Sequence, residues 1–291
     1  MTTMFTASQS GERIDAYLAR TVPEFSRSFW QKQTTVGAVK VNDVVVKPSY
    51  QLNIGDVITV NMPEVPDFSE ATLPVLFEDD DVVVINKPAG VLTHAKGVVS
   101  DELTVATFVR PRTTDGVDTN RPGIVHRLDR ATSGVIIAAK NSLAKRWLQK
   151  QFSTRRVKKT YIALVKGRPK EPAATIQLPI ERNPKKPQTF RVGGNGKSAE
   201  TDYETLEEYT GYTLLSLTPR TGRTHQLRVH MQYLGCPIVG DTLYGKTEPH
   251  LERMFLHAAV LELTLPSRER RVFEAPLPTE LTRFLETLIR G

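Results

Sequence analysis

The residues best suited to chemistry lie in a short polar loop near the middle of the chain. Asp129 stands between Arg127 and Arg130, just before an apolar run at 135–139 that has the composition of a buried strand. Two guanidinium groups beside a carboxylate favour its ionised form, so Asp129 is expected to carry a negative charge. An ionised carboxylate can act as a nucleophile or a base. The alternative is an ordinary surface loop whose charged side chains pair with one another.

A second group of candidate residues follows a predicted strand at 213–217, and it comprises Arg220, Arg223 and Arg228. The segment 225–234 is predicted to be a helix, capped by Thr224 and closed by Gly235. Arginines beside a helix N-terminus bind phosphate readily. Arg228, one turn inside the helix, could instead point inward to a carboxylate, and a third possibility is a basic cap with exposed side chains.

Three other chemistries are disfavoured by residue spacing. His225 and His230 are five residues apart, which places them on different faces of a helix, so a structural or capping role is expected rather than metal binding. The Gly-rich segment 193–197 lacks the spacing of a nucleotide-binding loop, and no serine lies in a Gly-x-Ser-x-Gly turn. The single cysteine, Cys236, excludes an internal disulfide and a cysteine-based metal cluster.

The composition is that of a soluble globular protein, with 39% hydrophobic and 24% charged residues. A chain of 291 residues is long enough for two domains. No apolar run approaches the roughly 20 residues that would cross a bilayer. We therefore expect a cytoplasmic protein that does not enter a membrane.

Positive charge is concentrated in one part of the chain. Residues 110–197 contain 21 Lys and Arg against 5 Asp and Glu, whereas the remainder is net negative. Such a segment indicates a surface for a polyanion, and nucleic acid is the expected one. The alternative is a solvated surface that keeps the protein in solution. Phosphate contacts would make binding fall steeply as the salt concentration rises.

The first 60 residues or so have the pattern of a small separate unit. The predicted elements are a helix with apolar positions at Ile14, Tyr17 and Leu18, a second helix from Ser26 to Gly37, a hairpin with its turn at 42–43, and a strand at 57–60. This order resembles the S4-type RNA-binding module, a small α/β unit, here at 11–61. The resemblance implies that Arg13, Arg27 and Lys32 contact RNA, and the alternative is a purely structural cap. The acidic, proline-bearing segment at 62–74 is interpreted as a linker.

Beyond the linker, strands and helices surround the two candidate clusters. Strands are predicted at 82–85, 135–139, 160–165, 213–217, 260–265 and 271–273, and helices at 101–109, 142–152, 225–234 and 281–289. The helix at 142–152 would be capped by Asn141 and would bury a stripe of Leu143, Trp147, Leu148 and Phe152.

Several ordered motifs together resemble those of the RluA-type pseudouridine synthases. They are His-Arg-Leu-Asp at 126–129, Lys-Thr-Tyr-Ile-Ala-Leu-Val at 159–165, and Gly-Arg-Thr-His-Gln-Leu-Arg-Val-His at 222–230, continued through 235–245. Matches at 86–91 and 255–258 extend the similarity from about residue 76 to the last residue. The resemblance implies an α+β catalytic domain at 75–291, with a mixed, mostly antiparallel central sheet, flanking helices and a basic cleft.

The same resemblance implies that uridine in RNA is isomerised to pseudouridine without a cofactor. Asp129 would be the essential carboxylate, attacking C1′ or removing the C2′ proton, and both routes remain open. Arg228 would pair with it, while Tyr161 would pack on the uracil and could take the C5 proton. Leu227 would add apolar packing, and Arg127 would fill the space left by the flipped uridine. The other candidates for substrate contact or loop structure are His126, Arg223 and His225.

The implied partner is RNA, and by analogy the S4-like module favours large-subunit ribosomal RNA over tRNA. The protein is expected to be a monomer that needs no metal. One rival is a non-catalytic RNA-binding or ribosome-assembly factor of the same fold, which would need only the basic cleft. A second rival, a glycosidic-bond hydrolase, lacks the second carboxylate that would activate water.

Overall fold

The computed structural model describes residues 2–61, 68, 70–97 and 100–290, and the chain divides into two compact units. The first contains the residues up to Thr72 together with His94–Gly123, and the second contains Leu73–Thr93 and the residues from Ile124 onward. These bounds differ from the predicted domains at 11–61 and 75–291, because His94–Gly123 belongs to the first unit. The predicted linker lies largely outside the described residues.

The first unit is a four-stranded antiparallel sheet packed against two helices. Its strands, in the order β1-β4-β2-β3, are β1 (Thr2–Thr6), β2 (Val39–Val41), β3 (Val44–Val45) and β4 (Val57–Asn61). The helices are α1 (Ile14–Thr21), α2 (Arg27–Thr35) and, within His94–Gly123, the short α3 (Val105–Val109). Asn42 and Asp43 both adopt positive φ, as a two-residue hairpin turn requires. The predicted helices and hairpin are confirmed, although α3 is shorter than the 101–109 expected.

The second unit is built on a nine-stranded sheet with the order β5-β6-β7-β14-β8-β13-β12-β9, and β15 pairs with β14. Its strands are β5 (Val75–Glu78), β6 (Val82–Lys87), β7 (Ser133–Ala139), β8 (Lys158–Lys166), β9 (Ala173–Gln177), β12 (Glu200–Tyr209), β13 (Tyr212–Pro219), β14 (Leu256–Thr264) and β15 (Arg270–Glu274). A separate hairpin is formed by β10 (Ile180–Arg182) and β11 (Phe190–Val192), and the helices are α4 (Ser142–Ser153), α5 (Gln226–Tyr233) and α6 (Thr279–Glu286).

The sheet is antiparallel except where β7 meets β14. The pairing there is tight, because Gly134 lies opposite Ala258 with a φ of +115° and a Cβ at this position would overlap the Ala258 carbonyl. The α+β class and the mixed, mostly antiparallel sheet predicted from the motifs are confirmed.

Two local predictions in this unit were wrong. Leu143 on α4 is 73% exposed, because the helix buries the face carrying Ala144, Leu148 and Gln151 instead. Thr224 does not cap α5, which begins one residue later than expected. The N-cap residue is His225, whose side chain makes no capping hydrogen bond, and the Gln226 Oε1 fixes the preceding turn by accepting hydrogen bonds from the Arg223 N–H and the Thr221 hydroxyl.

The close approach of β7 and β14 generates a stability prediction. Gly134→Ala should lower the free energy of unfolding by more than ~2 kcal/mol, since the new methyl group meets backbone and the residue must keep a positive φ. Gly167→Ala is the matched control: its φ is +78°, but a Cβ there meets nothing within 4 Å, so about 1 kcal/mol of strain is expected. Urea denaturation of the two variants measures the difference, and equal losses would contradict the steric explanation.

Candidate active site

A basic cleft crosses the second unit beside the predicted catalytic loop. Its volume is about 550 Å³, within the range of small-molecule sites. The charged residues along its wall are one carboxylate, Asp129, and six cations: Arg127, Arg155, Lys159, Arg220, Arg223 and Arg228. Such an excess of positive charge suits a phosphate-bearing ligand.

The loop that carries Asp129 is held on both sides by backbone hydrogen bonds. The Thr93 hydroxyl donates to the Leu128 carbonyl at 2.9 Å, and the Leu128 N–H donates back to that hydroxyl at 3.1 Å. On the other side, the Gly90 N–H donates to the Arg130 carbonyl at 2.8 Å. The position of Asp129 is therefore set by its neighbours' main chain rather than by its own side chain.

Lys87 strengthens this anchoring from within the protein. Its fully buried ammonium donates to the carbonyls of Pro88 and Val91 at 2.8 Å, and to that of Arg130 at 3.4 Å. Burial, with the charge of Arg253, lowers the pKa of Lys87 to about 7. The motif at 86–91 predicted no role for Lys87. The buried lysine ties that turn to the loop that carries Asp129.

Arg228 brings charge from α5 to this loop. Its Nη1 donates to Asp129 Oδ2 at 3.3 Å, and its Nε and Nη2 donate to Asp241 at 2.6 and 2.8 Å. Asp241 is buried and also accepts the N–H groups of Leu243 and Tyr244. Although burial acts in the opposite direction, Asp241 and Asp129 raise the pKa of Arg228, so its positive charge is secure. The inward orientation considered for Arg228 is therefore confirmed.

The partners first expected for Asp129 are not the ones that reach it. Arg130 donates to the Gly90 carbonyl at 3.2 Å, and Arg127 is exposed on the cleft wall. In the described part of the chain, the groups within 4 Å that face the carboxylate are Arg228 and His225, and both approach Oδ2. Oδ1 accepts no hydrogen bond from the described residues and is free for a ligand.

His225 adopts a left-handed backbone conformation, with φ +56°, immediately before α5. Its Nε2 lies 3.8 Å from Asp129 Oδ2, and its Nδ1 lies 2.8 Å from the Tyr244 hydroxyl. Burial, assisted by the charges of Arg228 and Arg127, lowers the pKa of His225 in spite of Asp129 and Asp241. The ring is therefore neutral at pH 7. No role was predicted for Tyr244 or Asp241, although both lie within the matched segment 235–245.

Tyr161 and Leu227 form an apolar wall of the cleft. Leu227 is buried in the cluster against which Tyr161 packs. Burial and the charge of Asp129 raise the pKa of the Tyr161 hydroxyl, so it is protonated at neutral pH. That hydroxyl has no hydrogen-bond partner among the described residues. Arg223 also lines the cleft, and its Nε donates to the Ser198 carbonyl at 2.9 Å.

His126 has a structural role in the loop. Its Nε2 accepts the Ile137 N–H of β7 at 3.1 Å, and its ring stacks on Phe152 with 4.5 Å between centroids. Burial and the charge of Lys159 lower its pKa to about 3. Of the two roles predicted, loop structure is the one these contacts support.

The three basic residues predicted to bind RNA in the first unit each face a carboxylate. Arg13 and Arg27 both bond to the buried Asp15, at 3.0 and 3.1 Å, and Lys32 pairs with Asp101. Although burial opposes ionisation, bonds from Arg13, Gln31 and Arg27 lower the pKa of Asp15 to about 2. The cationic side chains are 43% to 63% exposed, so they remain accessible to a ligand.

The described residues contain no group of three or more His, Cys, Asp or Glu side chains placed to hold a metal ion. A search of the same residues finds no helix long and apolar enough to span a membrane.

Comparison with known proteins identifies the class to which this fold and site belong. Residues 81–233 match the family model of RNA pseudouridylate synthases, and residues 12–58 match that of the S4 domain. The chain therefore belongs to the RNA pseudouridylate synthase family, within which the motifs indicated the RluA type, and it is an RNA pseudouridine synthase with an N-terminal S4 domain.

Individual relatives cover nearly the whole chain. An uncharacterized RNA pseudouridine synthase of Bacillus subtilis (strain 168) is 38% identical over 289 residues, which is 96% of this chain and 95% of the relative. The ribosomal large subunit pseudouridine synthase D of Borreliella burgdorferi is 34% identical, covering 99% of this chain and 93% of the relative. Among solved structures, human RNA pseudouridylate synthase domain containing 1 aligns with a TM-score of 0.60 and 30% identity, over 77% of this chain and 98% of that one.

The half-buried, neutral His126 generates a prediction about pH. The unfolded chain binds a proton on this residue near pH 6.5, whereas the folded chain does so near pH 3. The stability that depends on a neutral His126 is therefore present above pH 6.5 and is lost as the pH falls toward 3. We expect a loss of up to ~1.4 kcal/mol per pH unit from this residue. Denaturation at pH 7, 6 and 5 should show a shallower slope for His126→Gln than for the wild type, and parallel slopes would contradict the assignment.

Proposed function

We propose that Asp129 is the essential carboxylate of the isomerisation and that the substrate is a uridine of large-subunit ribosomal RNA. The observation that carries this proposal is the pairing of Asp129 Oδ2 with the buried Arg228 on the wall of a basic cleft, while Oδ1 accepts no hydrogen bond from the described residues. The arginine stabilises the ionised carboxylate and fixes its direction. The negative charge and the fixed direction of the carboxylate are both needed, whether Asp129 attacks C1′ or removes the C2′ proton.

The reaction breaks the bond between N1 and C1′, turns the uracil and joins its C5 to C1′. The ribose therefore has to lie against Asp129 Oδ1, with the base on the wall formed by Tyr161 and Leu227. Because the Tyr161 hydroxyl stays protonated, we propose that this residue packs against the uracil rather than acting as the base for the C5 proton.

Uridine in folded RNA has to leave its stack before the ribose can reach Asp129. Arg127 precedes Asp129 by two residues and is exposed at the cleft, so we propose that it occupies the space left by the base. Arg223 and the S4-domain residues Arg13, Arg27 and Lys32 would contact the RNA backbone.

The proposed target rests on the names of two relatives that are 34% identical, ribosomal large subunit pseudouridine synthases C and D. tRNA is the alternative substrate. Incubating the enzyme with unmodified large-subunit ribosomal RNA and with unmodified tRNA, followed by mapping of pseudouridine, separates the two. Action in the cytoplasm as a monomer stays a prediction.

Asp129→Asn removes the charge while keeping the shape of the side chain. We expect pseudouridine formation to fall by at least ~100-fold, because neither route can proceed without an ionised oxygen. RNA affinity should change little, since the cationic wall is intact. Tritium release from RNA labelled at uridine C5 measures the rate, and filter binding measures the affinity.

The matched control is Asp80→Asn, which makes the same change on an exposed turn outside the cleft and should leave the rate unaltered. A fully active Asp129→Asn protein would refute the role of this carboxylate. Tight RNA binding by the wild type with no pseudouridine from any RNA would favour the non-catalytic alternative.

The cationic wall should make RNA binding depend on salt. Arg155→Asn removes one charge at the cleft, and asparagine tolerates the positive φ found there. We expect the slope of log affinity against log salt to become shallower by ~0.7, the value for one contact to single-stranded nucleic acid. Arg168→Asn, at a residue paired with Glu208 away from the cleft, should leave the slope unchanged. Identical slopes for both variants and the wild type would exclude this wall as the binding face.

A further inference from the structure

Phe190 of the hairpin β10–β11 contacts two residues of the candidate site, Tyr244 and His225. The Phe190 N–H of β11 donates to the Tyr244 hydroxyl at 2.7 Å, and the Phe190 ring meets the His225 ring edge-on, with 5.5 Å between centroids. The same hydroxyl lies 2.8 Å from His225 Nδ1. His225 is thus enclosed by the hairpin on one side and by Asp129 on the other.

These contacts decide where the proton of the neutral His225 ring resides. The Tyr244 hydroxyl can donate one proton, and in the described part of the chain the acceptor within reach is His225 Nδ1. If Nδ1 carried the proton instead, the buried hydroxyl would receive two hydrogen bonds and its own proton would have no acceptor, which is unfavourable. Tyr244 therefore donates to Nδ1, and the ring proton is on Nε2.

A proton on Nε2 points at the catalytic carboxylate. Nε2 lies 3.8 Å from Asp129 Oδ2, the oxygen that also accepts from Arg228 Nη1. The separation exceeds hydrogen-bond length, as is common for catalytic groups before the substrate binds. Tyr244 also supports the second donor, because the Arg228 guanidinium lies over its ring at 4.9 Å. Tyr244 thus contacts both donors that face Oδ2.

The backbone of His225 gives independent support. A non-glycine residue at φ +56° is strained, and such residues concentrate at functional sites. The residue occupies the N-cap position of α5, yet its side chain makes no capping hydrogen bond. The side chain faces Tyr244 and Asp129 instead.

We propose that His225 is a positioning residue for Asp129: Tyr244 holds the ring proton on Nε2, and this N–H keeps Oδ2 turned to the protein so that Oδ1 faces the ribose. The inference rests on the proposed role of Asp129. It assigns the hairpin β10–β11 a part in orienting the carboxylate, through the Phe190 N–H.

Two substitutions separate the hydrogen bond between His225 Nδ1 and Tyr244 from the approach of His225 Nε2 to Asp129. In His225→Asn the amide group takes the place of the ring Nδ1, so it can bond to Tyr244 but cannot reach Asp129. Asparagine also tolerates the left-handed backbone of this position. The amide of His225→Gln coincides with Nε2 and can reach Asp129. We expect kcat to fall about 10-fold in His225→Asn with KM within twofold of the wild type, and to stay within about threefold in His225→Gln. A purely structural role predicts that kcat follows thermal stability in both variants.

The proton position is measured without reference to activity. In the wild type at pH 7.5, ¹⁵N–¹H correlation spectra should show His225 protonated on Nε2, with the Nδ1 resonance shifted by the hydrogen bond it accepts, and Tyr244→Phe should remove that shift of Nδ1. Asp129→Asn should leave the proton on Nε2, so this result stands even if the role of Asp129 fails. A wild-type proton on Nδ1, or wild-type kcat in His225→Asn, would overturn the proposal.

Discussion

The site depends on one arginine that is buried between two carboxylates. Arg228 uses Nε and Nη2 on Asp241 and Nη1 on Asp129, so each edge of its guanidinium has a partner. An unpaired charge at this depth would cost several kcal/mol, and Asp241 offsets that cost inside the protein. Because Asp241 pairs with the arginine inside the protein, the remaining N–H can bond to Asp129, and Asp129 is not needed to balance the buried charge.

The surrounding elements bring these groups together from distant parts of the chain. Lys87 and Thr93 hold the loop around Asp129, whereas α5 supplies Arg228 and the segment after it supplies Asp241. Each contact is to main chain or to a buried side chain, so little freedom remains near the carboxylate. A preorganised charge of this kind acts without reorganisation during the reaction.

Local sequence patterns were sufficient to predict hairpin turns and helix caps. The hairpin at Asn42 and Asp43 and the Asn141 cap of α4 were predicted because turn and cap chemistry is local. The strands β9 to β12 were not predicted. β12 is half-exposed, and half of its residues are Glu or Asp, which are uncommon in strands, so no apolar run marks it.

The candidate site was predictable where the motifs mark its residues. Asp129 and Arg228 were predicted as site residues and lie together in the structure, but Asp241 and Tyr244 were not predicted, because their importance lies in tertiary hydrogen bonds that spacing does not encode. Arg130 shows that proximity in the sequence does not ensure a contact between side chains. It adjoins Asp129 in the sequence, yet its guanidinium bonds to the Gly90 carbonyl.

The strand order has a consequence for synthesis on the ribosome. β7 and β8 succeed each other in the chain with α4 between them, but β14, which is made after both, lies between them in the sheet. The central sheet therefore cannot close until β14 has been made. The nascent protein carries Asp129 long before Arg228 emerges, so this carboxylate lacks its partner arginine until α5 has been synthesised.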